Sequence, residues 1–162
     1  MTLTEPLLQR LQFLIRVIKK EINHLDYSSH KIFQQTLTLE RISRLDSEPA
    51  FAEQLEAFTS RFCRLQDSLG DKLVPVWLES LGEPKRSVVD NLDKAAQLGI
   101  RVDADEWLMI RQLRNKMVHE YIEAPEILLE ALQAAHDFEP SLVAMAEDIF
   151  RDLERHGIKE EK

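Results

Sequence analysis

The residues of this chain that could do chemistry are concentrated in one short segment. The candidates in it are Arg111, Arg114, Asn115, Lys116, His119 and Tyr121. Histidine takes and gives protons near neutral pH, because its unperturbed pKa is about 6.5. A guanidinium keeps its charge at that pH and binds phosphate oxygens. The segment therefore holds a group that can move protons near neutral pH and fixed positive charges near it in the sequence.

Helical periodicity puts Arg114 on an apolar face. At about 100° per residue, five apolar or aromatic side chains fall within ~60° of it: Trp107, Ile110, Met117, Val118 and Tyr121. A permanent charge on such a face needs an explanation, since burying an unpaired charge is very costly. Two alternatives follow from this. Either a carboxylate on another helix pairs with Arg114, or Arg114 lines a cleft or a subunit interface.

His119 lies on a different side of the same helix. It is rotated ~140° from Arg114 and displaced ~7.5 Å along the axis, so we do not expect direct contact within one helix. A two-fold pairing of two copies would bring His119 of one toward Arg114 of the other. Taken singly, His119 is best explained as an ordinary surface histidine and Tyr121 as an ordinary packing residue. The prediction of a functional site therefore depends on their spacing relative to Arg114.

The rest of the chain predicts an all-α fold, an up-and-down bundle of four or five helices. Apolar residues recur at helical spacing from Leu7 to Leu25, and a long apolar seam runs from Phe51 to Leu73. We expect one domain over residues 1–156 and a solvated tail over 157–162. The helices that carry Phe58, Phe62 and Met117 are candidates for a dimer interface.

Several residues predict the helix ends. Gly99 is a candidate C-terminal cap, and Asp103 with Glu106 has the spacing of a capping pair at the start of the helix that carries the motif. Pro125 opens the last long helix, and Pro140 predicts a bend or a break within it. These boundaries place the motif on the penultimate long helix.

Composition excludes several classes of function. The chain has 162 residues and a net charge of -8, which opposes binding to long duplexes, so we do not expect DNA as a partner. Its first residues are amphipathic, without a secretory signal, and no apolar run is long enough for a bilayer, so we expect a cytoplasmic protein without a membrane partner. The single cysteine, Cys63, is a candidate core residue. The histidines and acids show no metal-ligand spacing, and we expect no metal or cofactor.

The segment from Arg114 to Tyr121 resembles the Arg-x4-His-x-Tyr motif of HEPN proteins, specifically of the HepT-like toxin branch. The Asn at position 115 is common in HEPN domains. The likeness covers most of the chain as helical architecture and eight residues as motif. The chain is also similar to the helical substrate-binding partners of small nucleotidyltransferases.

This resemblance implies a metal-independent endoribonuclease whose active site forms across a homodimer. Arg114 and His119 would be catalytic, with Asn115 orienting the phosphate or the imidazole and with Arg111 and Lys116 in support. A ribose 2′-hydroxyl would attack the phosphorus, in an RNA such as tRNA or mRNA. These residue types suit that reaction.

The resemblance also implies a partner. In HepT-like systems a minimal nucleotidyltransferase acts as the antitoxin and transfers AMP to the tyrosine of the motif, here Tyr121. By helical spacing, the added nucleotide would bring negative charge and bulk beside Arg114. Asp103-Ala104-Asp105 lacks the preceding Gly-Ser turn of a transferase and is better explained as helix capping. The chain would therefore be the recipient of AMP.

Two alternatives to a toxin stay open. One is a non-catalytic helical adaptor that holds a substrate for a nucleotidyltransferase, which the acidic composition favours. The other is a helical dimerisation module with no chemistry. The complete set of Arg114, Asn115, His119 and Tyr121 favours the toxin.

Overall fold

The computed structural model describes residues 3–119 and 124–160, and all regular elements of that part of the chain are helical. The α-helices are α1 (Glu5–Phe33), α2 (Leu39–Ser43), α3 (Pro49–Asp67), α4 (Val74–Ser80), α5 (Val88–Gln97), α6 (Ala104–His119) and α7 (Pro125–Arg155). A 3-10 turn (Leu45–Ser47) precedes α3, and a π-helical segment (Ser68–Leu73) joins α3 to α4. The predicted all-α class is confirmed.

Helices α1 and α3 pack antiparallel to each other. Near the end of α1, Arg61 of α3 donates to the Ser28 hydroxyl over 2.6 Å. One to two turns earlier in α1, the Ser68 hydroxyl donates to Glu21 Oε1 over 3.0 Å. The partner positions fall along α1 as they rise along α3, which defines the antiparallel arrangement and supports the up-and-down prediction.

Helix α7 also runs antiparallel to α1. The His136 ring stacks on Phe33 with centroids 3.8 Å apart, at the C-terminal end of α1. Nearer the start of α1, Lys19 lies 6.0 Å from the centroid of the Phe150 ring. The apolar stripes of α1, α3 and α7 thus enclose one core, to which α6 adds Trp107.

The chain does not leave the core after α7, so the predicted solvated tail is wrong for Ile158. Gly157 has a φ of +80°, and the N–H of Ile158 donates to the carbonyl of Leu153. This is the usual way in which a glycine ends a helix and turns the chain back. Ile158 is consequently 2% exposed, and Glu160 pairs with Lys19 over 2.8 Å.

The predicted helix ends hold in most cases. Gly99 follows α5 with a φ of +96°, and the N–H of Glu106 donates to Asp103 Oδ1 over 2.8 Å. The predicted break at Pro140 is wrong, because α7 continues through it. Phe138 and Leu142, on either side, are buried in the core, and this packing offsets the one backbone hydrogen bond that the proline removes.

The three residues that identify the candidate interface helices, α3 and α6, are themselves part of the core. Phe58 and Phe62 are fully buried, and Met117 is 2% exposed, so none of them is available to a second copy. Cys63, as predicted, is a buried residue. No helix in residues 3–119 and 124–160 has the length and apolar character needed to cross a membrane.

Asp148 of α7 anchors the loop that leads into α6. Its buried carboxylate accepts from the backbone N–H, the Nε and the Nη2 of Arg101, each over 2.9 Å, and from Arg151 over 3.2 Å. The hydrogen bonds from the Arg101 guanidinium lower the pKa of Asp148. The start of α6 is therefore tied to α7 by charge-assisted hydrogen bonds.

We expect Asp148→Asn to lower the free energy of unfolding by about 1–3 kcal/mol, because hydrogen bonds to a charged group are lost. Urea unfolding at neutral pH measures this. The lowered pKa means that the contribution is present above the unfolded-state value of about 4 and is lost as the pH falls through the lower folded-state value. The two proteins should therefore converge in acid. Asp93→Asn, at an exposed position of α5, is the control, and an equal loss there would contradict the prediction.

Candidate functional site

The described motif residues lie on the C-terminal half of α6, and they are mostly exposed. The Arg114 side chain is 47% exposed, and Asn115, Lys116 and His119 are exposed as well. Met117 turns into the core, so the inner face of α6 continues to this point. Tyr121 lies outside the described residues.

Arg114 has a carboxylate partner within its own chain. Its Nη1 donates to Asp67 Oδ2, at the end of α3, over 2.8 Å. The first of the two sequence alternatives is therefore correct, and the charge on the apolar face is not unpaired. The hydrogen bond from Arg114 to Asp67 raises the pKa of the guanidinium, so Arg114 keeps its positive charge throughout the physiological range.

Arg111, one turn earlier in α6, makes a second ion pair with the same part of the chain. Its Nη2 lies 3.0 Å from Asp71 Oδ2 and 3.8 Å from Asp67 Oδ1. Asp67 thus lies between the two guanidinium groups. The ion pairs of Arg114 with Asp67 and of Arg111 with Asp71, called the ladder below, join α6 to the antiparallel end of α3 and the π-helical segment after it. Sequence analysis named both arginines but neither aspartate.

The ladder depends on the π-helical segment that follows α3. Gly70 lies at its centre, against the indole of Trp107: a Cβ added there would lie 2.8 Å from Trp107 Cζ2. Gln66 Nε2 donates to the Trp107 carbonyl over 3.2 Å in the buried interior. The absence of a side chain at Gly70 therefore lets this segment approach α6. Single π turns of this type are frequent at functional sites.

Glu21 of α1 supports the same segment from its other side. Its Oε1 accepts from the Ser68 hydroxyl over 3.0 Å. Its Oε2 is buried and has no hydrogen-bond partner within residues 3–119 and 124–160. Burial raises the pKa of Glu21. Its carboxyl group is thus a further acidic group on the side of the π-helical segment that faces α1.

A groove of about 710 Å³ runs beside α3 and the last turns of α6. Its lining contains three acidic and three basic side chains: Glu56, Arg64, Asp67, Asp71, Lys72 and Arg114. Small side chains, among them Ser60 and Cys63, complete the wall formed by α3. Burial raises the pKa of the Cys63 thiol, which disfavours the nucleophilic thiolate. The groove therefore offers charges for a polar, charged ligand.

The groove brings together only part of the predicted site. Arg114 lines the groove. Arg111 is not a lining residue, but it pairs with Asp71, which is. Asn115 and His119 are not among the described lining residues. His119 is exposed at the last described turn of α6. Within one chain, Arg114 and His119 therefore belong to different surfaces of the helix.

A second cluster has the residue types of a hydrolase triad but not the geometry. The Ser29 hydroxyl lies 3.1 Å from His136 Nδ1, and Glu139 Oε2 lies 3.8 Å from the same nitrogen. In a triad the hydroxyl and the acid contact opposite nitrogens of the ring, which allows proton transfer through the imidazole. Ser29, His136 and Glu139 therefore stabilise the contact of α1 with α7.

No protein-family model, no curated protein and no solved structure matches this chain. Among the described residues, no three His, Cys, Asp or Glu side chains are placed to hold a metal ion together. The class to which the chain belongs therefore has to be argued from its motif and from the geometry of α6.

We expect Gly70→Ala to lower the free energy of unfolding by about 1–2 kcal/mol, although alanine normally stabilises a helix relative to glycine. The reason is the overlap of the new Cβ with Trp107. Urea unfolding of Gly70→Ala, Trp107→Phe and the double variant measures it. In the Trp107→Phe background the alanine should cost less, because the smaller ring leaves room. An equal cost in both backgrounds would show that the contact does not limit residue 70.

Proposed function

We propose that this protein is a HepT-like toxin of the HEPN kind, a metal-independent endoribonuclease. The observation that carries the proposal is the sequence motif from Arg114 to Tyr121, whose described part, Arg114 to His119, lies on the penultimate long helix of a chain whose described regular elements are all helical. Support comes from Arg114 at the edge of a charged groove and from His119 exposed near the end of the same helix.

The proposed reaction is transfer of a phosphodiester within RNA. The ribose 2′-hydroxyl attacks the adjacent phosphorus, the new O2′–P bond forms, and the P–O5′ bond breaks. His119 removes the proton of the attacking hydroxyl or supplies one to the leaving oxygen. Arg114 stabilises the negative charge that develops on the phosphoryl oxygens, and Asn115 orients the phosphate or the imidazole.

The proposed active site is composite, with two copies of the chain contributing. This follows from the separation of Arg114 and His119 on the surface of α6. Val118 supports the assignment of this face of α6 to an interface, because its apolar side chain lies beside Arg114 in the groove lining and is 53% exposed. Arg111 and Lys116 would add positive charge to the shared cleft.

The proposed partner is a minimal nucleotidyltransferase that acts as the antitoxin in the cytoplasm. It would transfer AMP from a nucleoside triphosphate to the phenol oxygen of Tyr121 and release pyrophosphate. The phosphodiester so formed adds negative charge and bulk to the motif. Either effect would block the binding of RNA.

The ion pairs favour a second candidate, a non-catalytic helical partner that presents a substrate to a nucleotidyltransferase. Asp67 neutralises Arg114, and the chain as a whole carries a net charge of -8. Both features reduce the attraction of the groove for RNA. The candidates differ in one respect: only the toxin needs His119.

We expect His119→Ala to abolish growth arrest and to lower RNA cleavage by about 10²–10⁴-fold, the usual contribution of a general acid or base. Expression of the chain without its partner, with cleavage of total RNA measured in parallel, tests this. His24→Ala, at an exposed position of α1, should leave both unchanged. Full toxicity of His119→Ala would contradict the catalytic role, and an inert native chain would favour the second candidate.

We expect co-expression with the cognate transferase to add AMP to Tyr121, detectable by mass spectrometry of the intact chain and of its peptides. Tyr121→Phe should abolish the adduct. The chain has one other tyrosine, Tyr27, whose side chain is exposed, so Tyr27→Phe is a matched control and should still be modified. An adduct on any other residue would refute the assignment of Tyr121.

A further inference from the structure

Asp67 occupies the position on Arg114 that a phosphate would need. Its Oδ2 accepts from Arg114 Nη1 over 2.8 Å, and both side chains line the groove. A planar carboxylate and a tetrahedral phosphate both present anionic oxygens that accept hydrogen bonds from a guanidinium. They therefore compete for the same donors. An incoming phosphate therefore meets an arginine whose Nη1 already donates to Asp67 and whose charge is balanced by that carboxylate.

Arg111 lies close enough to pair with the Asp67 carboxylate when that carboxylate separates from Arg114. Arg111 Nη2 lies 3.8 Å from Asp67 Oδ1, on the side of the carboxylate away from the bonded oxygen. A small rotation of the Asp67 side chain would exchange one guanidinium for the other. The carboxylate therefore does not have to return to water unpaired.

We propose that Asp67 is an intramolecular competitor of the RNA phosphate for Arg114, so that substrate binds by displacing this carboxylate toward Arg111. The inference rests on the proposed function, because it takes the ligand of Arg114 to be an RNA phosphate. It assigns to Asp67 control over substrate affinity. Asp67 itself takes no part in bond making or breaking.

The exchange is feasible because the ion pair is accessible to solvent. The side chains of Arg114 and Asp67 are 47% and 32% exposed, and exposed pairs of this kind hold their partners only weakly. Removal of the Asp67 charge should consequently tighten RNA binding by roughly two- to fivefold. The effect should diminish at high salt, which screens exposed charges.

The test measures the affinity of the full-length chain for a fluorescently labelled, single-stranded RNA oligonucleotide by anisotropy. All proteins carry His119→Ala so that no RNA is cleaved. Asp67→Asn is compared with Glu160→Gln, which removes one negative charge from an ion pair of the same length, Lys19 with Glu160 at 2.8 Å. Thermal melts confirm that each variant is folded, and Asp67→Ala serves as a second variant.

We expect tighter binding for Asp67→Asn and Asp67→Ala and unchanged binding for Glu160→Gln. Arg114→Ala combined with Asp67→Asn should lose the gain. Equal or weaker binding by both Asp67 variants would overturn the competitor role, and so would a gain that persists without Arg114. If the competitor role is overturned in this way, growth arrest that the native chain causes and that His119→Ala abolishes would leave the proposed function intact. Failure of every protein to bind RNA, together with a harmless native chain, would overturn both.

Discussion

The contact of Gly70 with Trp107 is the constraint on which the arrangement of the site depends. An indole on α6 needs a large space, and the π-helical segment after α3 supplies it at the one position without a side chain. Because interiors are packed as densely as organic crystals, this contact determines how closely α3 and α6 approach. Asp67, about one turn before Gly70, and Arg114, two turns after Trp107, then lie at hydrogen-bond distance.

The ion pairs that result explain how a cationic residue is kept on a largely apolar helix face. Arg114 and Arg111 each have a carboxylate partner and both remain partly exposed, and Arg114 also lines the groove. Such a pair contributes little to the stability of the fold, because solvent screens it. Its main consequence is chemical: Arg114 lines the groove with its charge balanced by Asp67. An acidic protein can in this way hold arginines without attracting every nucleic acid.

Local patterns predicted the helices well, because the helical period and the capping residues act within a few positions of the chain. The spacing of Asp103 and Glu106 predicted the start of α6, and Gly99 predicted the end of α5. Predictions about exposure failed where packing decided. Ile158 was expected in solvent, but the turn at Gly157 returns it to the core.

The sequence by itself determined the helical class and the order of residues in the motif. It also determined that Arg114 on an apolar face needs a carboxylate or a cleft, because that follows from helical geometry and the cost of burying charge. It did not determine which of the 29 acidic residues is the partner. That choice was made by the antiparallel packing of α3 on α6 and by the π turn at Gly70. Both bring together residues about 40 to 50 positions apart in the sequence. Local sequence patterns extend over only a few positions and therefore do not predict such pairs.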